Sequence, residues 1–473
     1  MILHVLFAKT LRSGRLSVVY DDGLTETYGD GSGAPVVVRL SRKAALRIAL
    51  EPSLGLGEAY MEGDLVFEKG DLWDLLSLVG RNLPERPRIR HPFLAGVKNA
   101  LVRRLRQVND RRAARRNVAH HYDLAADLYR RFLDADMQYS CAYFAKPGMS
   151  LEEAQAAKKA HLAAKLRLRP GHRVLDIGSG WGGLGLSLAR DYGAKVTGIT
   201  LSEEQLALAN RRAAAEDLSD RARFALSDYR DVRGAFDRII SVGMFEHVGS
   251  PNYVGFFQQI ERLLTDDGVA VVHAIGRMEP PGTTDPFIRK YIFPGGYIPS
   301  LSQVTAAVEK AGLWITDIEI LRLHYAETLR CWRARFQADR AAIAALYDER
   351  FCRMFEFYLA VGELSFRTGT TMVFQLQLTR RMDALPIVRD YMFEEERAPA
   401  WIEPAAHRQD GRRPQPSPPL RNPRERATPN ASANATAPDA SSSPNEIMSS
   451  APISDTRTII PPSRQAGKHK GAG

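Results

Sequence analysis

A glycine-rich stretch near the middle of the chain has the residue types that a nucleotide-type ligand requires. Residues 173–183 are RVLDIGSGWGG, an apolar run followed by four glycines within six residues, and an apolar helical pattern comes next. A buried strand, a tight turn and a helix N-terminus in this order let the backbone approach a ligand closely and offer it unpaired N–H groups. Gly178, Gly180 and Gly183 fit the spacing G-x-G-x-x-G, which alone is a weak signal.

Two residues of this stretch argue against a dinucleotide. Asp176 stands two residues before the first glycine, where a dinucleotide site usually has an apolar residue, and the bulky Trp181 fills the turn in which a pyrophosphate would need room. An acidic strand end before G-x-G instead resembles motif I of the methyltransferases that use S-adenosylmethionine (SAM). The alternative is a glycine-rich turn between a strand and a helix that binds no ligand.

A nucleoside bound at this turn also needs groups for its ribose and its adenine. The second predicted strand ends at Thr200, and Ser202 and Gln205 follow as neutral hydrogen-bonding groups where most methyltransferases of this type have an acidic residue. After the third strand, Asp228 is a candidate acceptor for an adenine amino group and Tyr229 is a candidate for stacking on the ring. The alternative role of Asp228 is to cap a turn.

Three further polar groups follow later strands of the same predicted sheet. Glu246 comes just past the fourth strand, His273 at the carboxyl end of the fifth, and His324-Tyr325 after the sixth. Ligands of open α/β sheets bind outside the carboxyl ends of the strands, so these groups are expected at the same edge as the glycine-rich turn. A lone His or Tyr at a strand end is commonly structural, but the conjunction of three favours a functional site. These residues alone indicate a SAM-binding methyltransferase of unknown acceptor.

The elements that must position these residues alternate between strand and helix over residues 119–380. This alternation predicts a mostly parallel sheet covered on both faces, and seven strands suit a methyltransferase sheet. The irregular stretch 276–300 leaves the sheet after its fifth strand, where it can build a substrate pocket. The predicted strands are 173–177, 195–200, 223–226, 236–242, 268–274, 314–323 and 370–378, and the helices include 203–216, 253–264 and 301–311.

Two other regions precede this pattern. Alternating polar and apolar residues with turn signals over 14–37 predict short strands, and helical periodicity follows at 44–50 and 72–76, which indicates a small α+β domain. The basic stretch 86–116 contains one acidic residue and an apolar stripe at helical spacing. Such a helix can lie on an anionic bilayer, and the alternative is an interdomain helix whose arginines are solvated.

Composition limits the class of protein. A chain of 473 residues with 44% hydrophobic and 25% charged residues is too long for one core and has an ordinary soluble composition. Three cysteines without paired spacing argue against disulfides and a cysteine metal site, so no metal and a reducing compartment are expected. No apolar run approaches the ~20 residues of a membrane span, and the N-terminus lacks the features of a secretory signal. The net charge of +10 indicates an anionic partner.

The motifs between residues 117 and 380 together resemble the cyclopropane-fatty-acyl-phospholipid synthase family, which is SAM-dependent and related to the mycolic acid cyclopropane synthases. Residues 57–64 also resemble the extra domain of its phospholipid-acting bacterial members. Ser179 stands where Cys is common and Ala274 where Thr is common, and neither departure puts the activity in doubt. The matching segments are NVAHHYD (117–123), MQYSCAYF (137–144), the glycine-rich turn, TLS (200–202) with Gln205, FEHVG (245–249), KYIFPGG (290–296), His324-Tyr325 with Thr328, Leu329 and Trp332, and FCRMF (351–355) with Tyr358 and Leu359.

The resemblance implies a class I SAM-dependent methyltransferase fold, which is Rossmann-like with a seven-stranded, mostly parallel sheet. The expected organisation is a small N-terminal α+β lipid-docking domain at 1–85, a basic amphipathic linker at 86–116 and the catalytic domain at 117–396. The C-terminal tail at 397–473, rich in Pro, Ser, Ala and Asn, is expected to be disordered.

The resemblance also implies two bound groups, SAM and bicarbonate. The candidate aromatic wall around the reacting atoms is Tyr139, Tyr143, Phe144, Phe245 and Tyr325. Bicarbonate and the reaction centre are expected at Cys141, Glu246, His273, Ile275 and Tyr325. SAM contacts are expected from Tyr139, Ser140, Val174, Asp176, Gly178, Gly180, Trp181, Gly182, Thr200, Leu201, Ser202, Gln205, Asp228, Tyr229 and Arg230.

The implied reaction is methylene transfer from SAM to the cis double bond of an unsaturated phospholipid acyl chain, through a carbocation that bicarbonate deprotonates to close a cyclopropane ring. The expected partners are the phospholipid and an anionic membrane surface, and a homodimer is left open. The expected location is cytoplasmic, at the inner face of the membrane. No nucleic acid is expected, because the basic stretch lacks interleaved aromatic residues. The alternatives are a methyl-branched or methylene lipid product, an amine or small-molecule methyltransferase, and a non-catalytic lipid- or nucleic-acid-binding protein that retains SAM.

Overall fold

The computed structural model describes residues 2–83 and 126–397. The basic stretch 86–116, the motif at 117–123 and all of the predicted tail except Arg397 lie outside the described residues. Within the described ranges, no helix has both the length and the apolar character needed to cross a membrane.

The N-terminal residues form the predicted small α+β domain, with one four-stranded sheet in the order β2-β1-β3-β4. The first strand pairs antiparallel with the second and parallel with the third, and its alternating pattern buries Leu16, Val18 and Tyr20. The first and third helices and the fourth strand were not predicted. The elements are α1 (Ile2–Thr10), β1 (Leu16–Tyr20), β2 (Thr25–Tyr28), β3 (Val36–Leu40), α2 (Arg42–Leu50), α3 (Pro52–Glu62), β4 (Leu65–Lys69) and α4 (Leu72–Asn82).

The second part of the chain contains the predicted seven-stranded sheet and the helices that cover it. Its helices are α5 (Ala126–Phe132), α6 (Leu151–Lys165), α7 (Gly183–Tyr192), α8 (Glu203–Ala215), α9 (Tyr253–Leu263), α10 (Leu301–Ala311), α11 (His324–Ala338), α12 (Arg340–Leu346), α13 (Glu349–Arg367) and α14 (Asp390–Arg397). Its strands are β5 (Arg173–Ile177), β6 (Lys195–Thr200), β7 (Ala222–Leu226), β8 (Phe236–Val242), β9 (Leu264–Arg277), β10 (Trp314–Leu321) and β11 (Thr371–Thr379).

The strand order is β10-β11-β9-β8-β5-β6-β7, the arrangement of a class I methyltransferase. Strands β5 to β9 pair in parallel, and β11 runs antiparallel between β9 and β10. Buried apolar residues run almost continuously along the central strands, as expected for a sheet covered on both faces. The predicted fold class is therefore confirmed.

One strand differs from its prediction in a way that affects the site. The fifth strand was expected to end at Ala274, but β9 continues to Arg277 because β11 pairs with it as far as Arg277 and Thr371. His273 consequently lies inside the strand, and the prediction that it stands at the carboxyl end is wrong.

The two parts of the chain pack against each other through α3. Tyr60 on this helix donates a 2.7 Å hydrogen bond to Glu356 on α13, and Glu58 accepts from Lys290 at 2.7 Å and from Tyr291 at 2.9 Å. Gly57 faces the rings of Phe287 and Phe357, where a side chain would collide with Phe287. The N-terminal domain therefore rests on α13 and on the segment that follows β9.

Candidate active site

The glycine-rich turn connects β5 to α7 in the predicted way. Gly178 and Ser179 both donate backbone hydrogen bonds of 2.9 Å to the Ile199 carbonyl, which fixes the turn against the end of β6. Gly180 has φ 54°, a backbone conformation that favours glycine, and a Cβ placed on it would meet no atom within 4 Å, so the space beside it is open. The turn therefore presents backbone directly to the cavity beside it.

That cavity, called here the donor cavity, collects most of the predicted SAM contacts. Three of the predicted contacts do not line it: Val174 is buried in β5, Gly182 caps α7, and Ser202 caps α8 by accepting from the Gln205 N–H at 3.3 Å. The predicted residues that do line it are Tyr139, Ser140, Asp176, Gly178, Gly180, Trp181, Thr200, Leu201, Gln205, Asp228, Tyr229 and Arg230.

Asp176 is the most unusual group of the donor cavity. Its residue is 1% exposed, and its Oδ2 is buried with no hydrogen-bond partner among the described residues. Burial raises the pKa of Asp176 to about 7. A buried, unpartnered carboxylate oxygen is costly, so this site fits a ligand that brings its own hydrogen-bond donor.

The polar residues that follow β6 and β7 are already bonded to their neighbours. Thr200 donates to Gln205 Oε1 at 2.8 Å. The Asp228 carboxylate accepts from the backbone N–H of Arg230 at 3.0 Å and from its guanidinium at 2.6 Å and 2.8 Å. Asp228 therefore caps the short turn Tyr229–Asp231, which is the alternative that the sequence left open, and it does so while lining the cavity.

A second cavity of about 540 Å³, called here the acyl cavity, brings together Cys141, Glu246, His273, Ile275 and Tyr325. Its lining is mostly apolar and includes residues from the segment after β9, as the sequence predicted for 276–300. Tyr139, Ser140, Gly243 and His247 line both cavities. The two cavities thus share a wall, and a group in one can approach a group in the other.

Glu246 lines the acyl cavity next to His247 of the shared wall in the sequence, and it is held by one of its two carboxylate oxygens. It lies in the turn Phe245–His247 after β8, and Oε1 accepts a 2.6 Å hydrogen bond from the Ile275 N–H of β9. Oε2 is buried and has no hydrogen-bond partner among the described residues. Burial raises the pKa of Glu246 to about 7, so the carboxyl group can carry a proton near neutral pH.

Two other titratable groups of the acyl cavity, His273 and Cys141, are uncharged at neutral pH. His273 is 2% exposed and bonded through Nδ1 to the Gln375 amide at 3.1 Å, and burial lowers its pKa to about 3. Burial raises the pKa of the Cys141 thiol well above its usual value, and the thiol donates to the Ala142 carbonyl at 3.3 Å. His324, which was predicted beside Tyr325, lines neither cavity and instead accepts from the Phe144 N–H at 3.0 Å.

The aromatic wall differs in part from the prediction. Tyr139 and Tyr325 line the acyl cavity, but Tyr143 and Phe144 stack on histidines, and Phe245 packs in the core against Tyr253. Sequence reasoning did not assign the remaining aromatic members to the wall, although the family motifs quoted for 290–296 and 351–359 contain Phe293 and Tyr358. Tyr297 and Phe366 lie outside the quoted motifs. The remaining members are Phe293, Tyr297, Tyr358 and Phe366.

Sequence reasoning also missed residues of the donor cavity. Gln138, Met244 and His247 line it although none was selected. Gln138 and His247 adjoin selected residues in the motifs MQYSCAYF and FEHVG, which is the signal that would have found them. Met244 has no such signal, and its contact with the turn is tertiary: a Cβ on Gly178 would lie 2.8 Å from its side chain.

Comparison with protein families agrees with this geometry. The family model described as mycolic acid cyclopropane synthetase matches residues 109–376. A second model, described as a domain of unknown function, matches residues 2–84.

Individual relatives match more than half of this chain. The cyclopropane-fatty-acyl-phospholipid synthase of Escherichia coli K12 is 40% identical over 337 residues, which are 71% of this chain and 86% of that protein. The tuberculostearic acid methyltransferase UfaA1 of Mycobacterium tuberculosis is 37% identical over 393 residues, which are 80% of this chain and 91% of that protein. Among solved structures, mycolic acid cyclopropane synthase CmaA1 complexed with SAH and CTAB superposes with a TM-score of 0.53 at 35% identity, covering 56% of this chain and 97% of that one. The chain therefore belongs to the mycolic acid cyclopropane synthetase family and is a SAM-dependent methyltransferase with the class I fold.

Proposed function

We propose that the protein transfers a methylene group from SAM to the cis double bond of unsaturated phospholipid acyl chains and so forms cyclopropane fatty acids. The observation that carries this proposal is the wall shared by the donor and acyl cavities, together with Glu246, which lines the acyl cavity and keeps an unpartnered carboxylate oxygen. The relative in Escherichia coli is named for this activity.

The donor cavity suits SAM, which supplies an electrophilic methyl group when bound. Asp176 Oδ2 can accept from the ammonium group of the ligand, and Gly180 leaves room for the ligand beside the turn. Thr200 and Gln205 are candidates for the ribose hydroxyls, and Tyr229 is a candidate for the adenine. The related CmaA1 structure is a complex with SAH.

The chemistry of an alkene explains why the acyl cavity is mostly apolar. An alkene has no acidic proton, so no residue has to activate it, and the enzyme's task is to hold the double bond in line with the methyl donor. Such positioning can supply up to ~7–11 kcal/mol of the activation barrier. Methyl addition leaves positive charge on the acyl chain, and the rings of Tyr139, Tyr325 and Phe366 are placed to stabilise it.

A bicarbonate at Glu246 is consistent with the charges of the acyl cavity; when bound, it supplies a base. Because the pKa of Glu246 is about 7, its carboxyl group can be protonated and donate to an anion instead of repelling it. His273 and Cys141 are neutral there, and the Tyr325 hydroxyl is a further candidate donor. We propose that these residues and Ile275 hold the bicarbonate.

We further propose that the enzyme works at the cytoplasmic face of a membrane as a peripheral protein. Burying a methylene group out of water gains ~0.8 kcal/mol, but this gain is nearly equal in a bilayer and in a protein cavity. Withdrawing an acyl chain from the membrane into the enzyme therefore gains little free energy, so the enzyme must work at the bilayer surface. The N-terminal domain is proposed to dock on lipid, and Ser53 of that domain lines the acyl cavity. The stretch 86–116 is proposed to contact anionic lipids. Residues 117–396 are proposed to form the catalytic domain.

A second product is favoured by one specific finding. UfaA1, which matches more of this chain than the synthase of Escherichia coli does, is named a tuberculostearic acid methyltransferase. The alternative is therefore a fatty-acyl C-methyltransferase that gives methyl-branched or methylene lipids at the same site.

Lipid analysis of a bacterial host without such an enzyme tests the proposed function. Expression should convert unsaturated phospholipid chains into species heavier by one methylene, with ring-proton signals in the NMR spectrum. A saturated methyl-branched product would be two hydrogens heavier than the ring product, and a methylene product would show vinylidene protons. Unchanged lipids in cells that contain folded protein would contradict both products.

A further inference from the structure

The acyl cavity is polar at one end. Arg277, Thr283, Thr284 and Asp285 lie together there with Ser53 of the N-terminal domain. Hydrogen bonds connect these residues, since Arg277 Nη2 donates to the Thr283 carbonyl at 3.3 Å and the Ser53 hydroxyl donates to the Asp285 carboxylate. The rest of the cavity is largely apolar, so its polarity matches that of an amphipathic molecule.

Arg277 is placed on the same face of β9 as the reaction centre. Residues two apart in a strand share a face, so His273, Ile275 and Arg277 form one row, and all three line the acyl cavity. At ~3.3 Å per residue, roughly 13 Å of strand separates Arg277 from His273. This separation leaves room for the part of an acyl chain between its double bond and its ester.

The Arg277 guanidinium is positioned without a charged partner. Its Nε donates to the Ile298 carbonyl at 3.1 Å and its Nη2 to the Thr283 carbonyl, and none of the described carboxylates forms an ion pair with it. A side chain on Gly282 would collide with Nη1, so this glycine makes room for the group. A planar cation held by neutral carbonyls is suited to a phosphate ester.

Asp285 supplies the opposite charge at the same end. Its Oδ1 accepts from the Phe287 N–H at 2.9 Å and the Ile288 N–H at 3.1 Å, which fixes the carboxylate, and no described cation forms an ion pair with it. Asp285 is exposed, so a ligand at the cavity mouth can reach it. The mouth therefore carries one cation and one anion that do not pair with each other.

We propose that Arg277 and Asp285 form a binding site for a zwitterionic phospholipid headgroup that carries an amine, with Arg277 on the phosphodiester and Asp285 on the ammonium. This inference rests on the proposed function, which supplies the acyl chain in the cavity, and it adds the class of headgroup and the residues that select it. Ser53 makes the N-terminal domain part of the same site.

Calorimetric binding of short-chain diacyl lipids below their micelle concentration tests the site without turnover. Arg277→Gln should weaken binding of both the phosphoethanolamine and the phosphoglycerol lipid by about tenfold, the usual loss of a charge-assisted hydrogen bond. Asp285→Asn should weaken only the phosphoethanolamine lipid, and Arg277→Lys should keep part of the affinity. Arg223→Gln, an exposed arginine on the edge strand β7, should leave both affinities unchanged.

Three results would overturn the assignment. The first is unchanged affinity in Arg277→Gln, and the second is an equal loss for both lipids in Asp285→Asn. The third is that inorganic phosphate binds wild type as tightly as the lipids do and loses this binding in Arg277→Gln, which would assign the site to free phosphate. This experiment measures binding and not turnover. A protein that binds the headgroup but forms no lipid product would contradict the proposed function and leave this site intact.

Discussion

Glu246 accepts a 2.6 Å hydrogen bond from the backbone N–H of Ile275, and this contact connects the turn after β8 to the strand β9. Only Oε1 takes part, so Oε2 stays buried without a partner among the described residues. Folding thus buries one oxygen of an acidic group that lines the acyl cavity, and this costs stability that a ligand can recover.

The pH dependence of stability should report this cost. Burial raises the pKa of Glu246 from 4.5 to about 7, so between these values the unfolded chain has lost the proton that the folded chain keeps. Stability from this group is therefore present below pH 4.5 and is lost as the pH rises towards 7, by as much as about 3 kcal/mol. Urea unfolding at pH 5 and pH 8 should show that Glu246→Gln gains stability over wild type mainly at pH 8. A difference between the two proteins that is the same at both pH values would contradict this account.

Asp176→Asn should weaken binding of SAH, measured by calorimetry, by about tenfold or more, because the ammonium of the ligand loses its anionic partner. In wild type the affinity should rise as the pH passes through about 7, where the Asp176 carboxyl group ionises. Asp220→Asn, at an exposed position, is the matched control. Unchanged affinity in Asp176→Asn would show that this carboxylate does not contact the donor.

Gly57→Ala should destabilise the protein by about 1–3 kcal/mol, since its Cβ would collide with Phe287 and lie 2.8 Å from Phe357. Lipid modification should fall as well, because Phe287 adjoins Pro286 and Ile288 of the acyl cavity. Gly255→Ala on α9 is the control, since no atom lies within 4 Å of its Cβ and the change should be neutral or stabilising. Equal melting temperatures of Gly57→Ala and wild type would contradict the tight packing of α3.

Replacing Arg103, Arg104 and Arg106 with Glu should weaken co-sedimentation with anionic vesicles, by about 1 kcal/mol for each basic residue near the surface. These residues lie outside the described part of the chain, so this prediction rests on the sequence. The same reversal at the exposed Arg211, Arg223 and Arg322 controls for net charge. Equal loss of binding in the two triple variants would argue against a specific contact by the stretch 86–116.

Much of the fold follows from the sequence because its central elements obey local rules. The bounds of β5, β6, β8 and α10 agree with prediction, since apolar runs and turn residues fix them locally. β4 was missed because its segment, LVFEK, is short and half exposed. The extension of β9 to Arg277 depends on pairing with β11, nearly a hundred residues away, and no local pattern contains that pairing.

The helix α6 shows most clearly what local patterns leave out. Its Lys158, His161 and Lys165 suggest a solvated face, yet all three are buried. Lys165 and His161 both bind Glu319 of β10, at 2.5 Å and 2.6 Å, and Lys158 donates to Ser140 in the shared wall at 2.9 Å. The Glu319 partner of Lys165 and His161 lies more than 150 residues away along the chain, so only the assembled sheet reveals why these two side chains are inside.

The predicted site residues were found through strand ends and family motifs, which identify Glu246 and Asp176 but not their surroundings. The unpartnered oxygens of both residues, the polar mouth at Arg277 and the contribution of Ser53 depend on tertiary contacts. These features determine which ligand groups fit, so the sequence alone predicts a lipid methyltransferase more readily than it predicts its substrate.

The most direct test is transfer of isotope-labelled methyl carbon from SAM into vesicles of an unsaturated phosphatidylethanolamine, comparing wild type, Glu246→Gln and the control Glu261→Gln, at a half-buried position that lines neither cavity. Wild type and Glu261→Gln should place the label in a lipid heavier by one methylene. Glu246→Gln should bind SAH normally but lose about 100-fold or more of the rate, the usual effect of removing a key polar group from an active site. Full lipid-modifying activity in Glu246→Gln would contradict the proposed role of this residue and the site built around it.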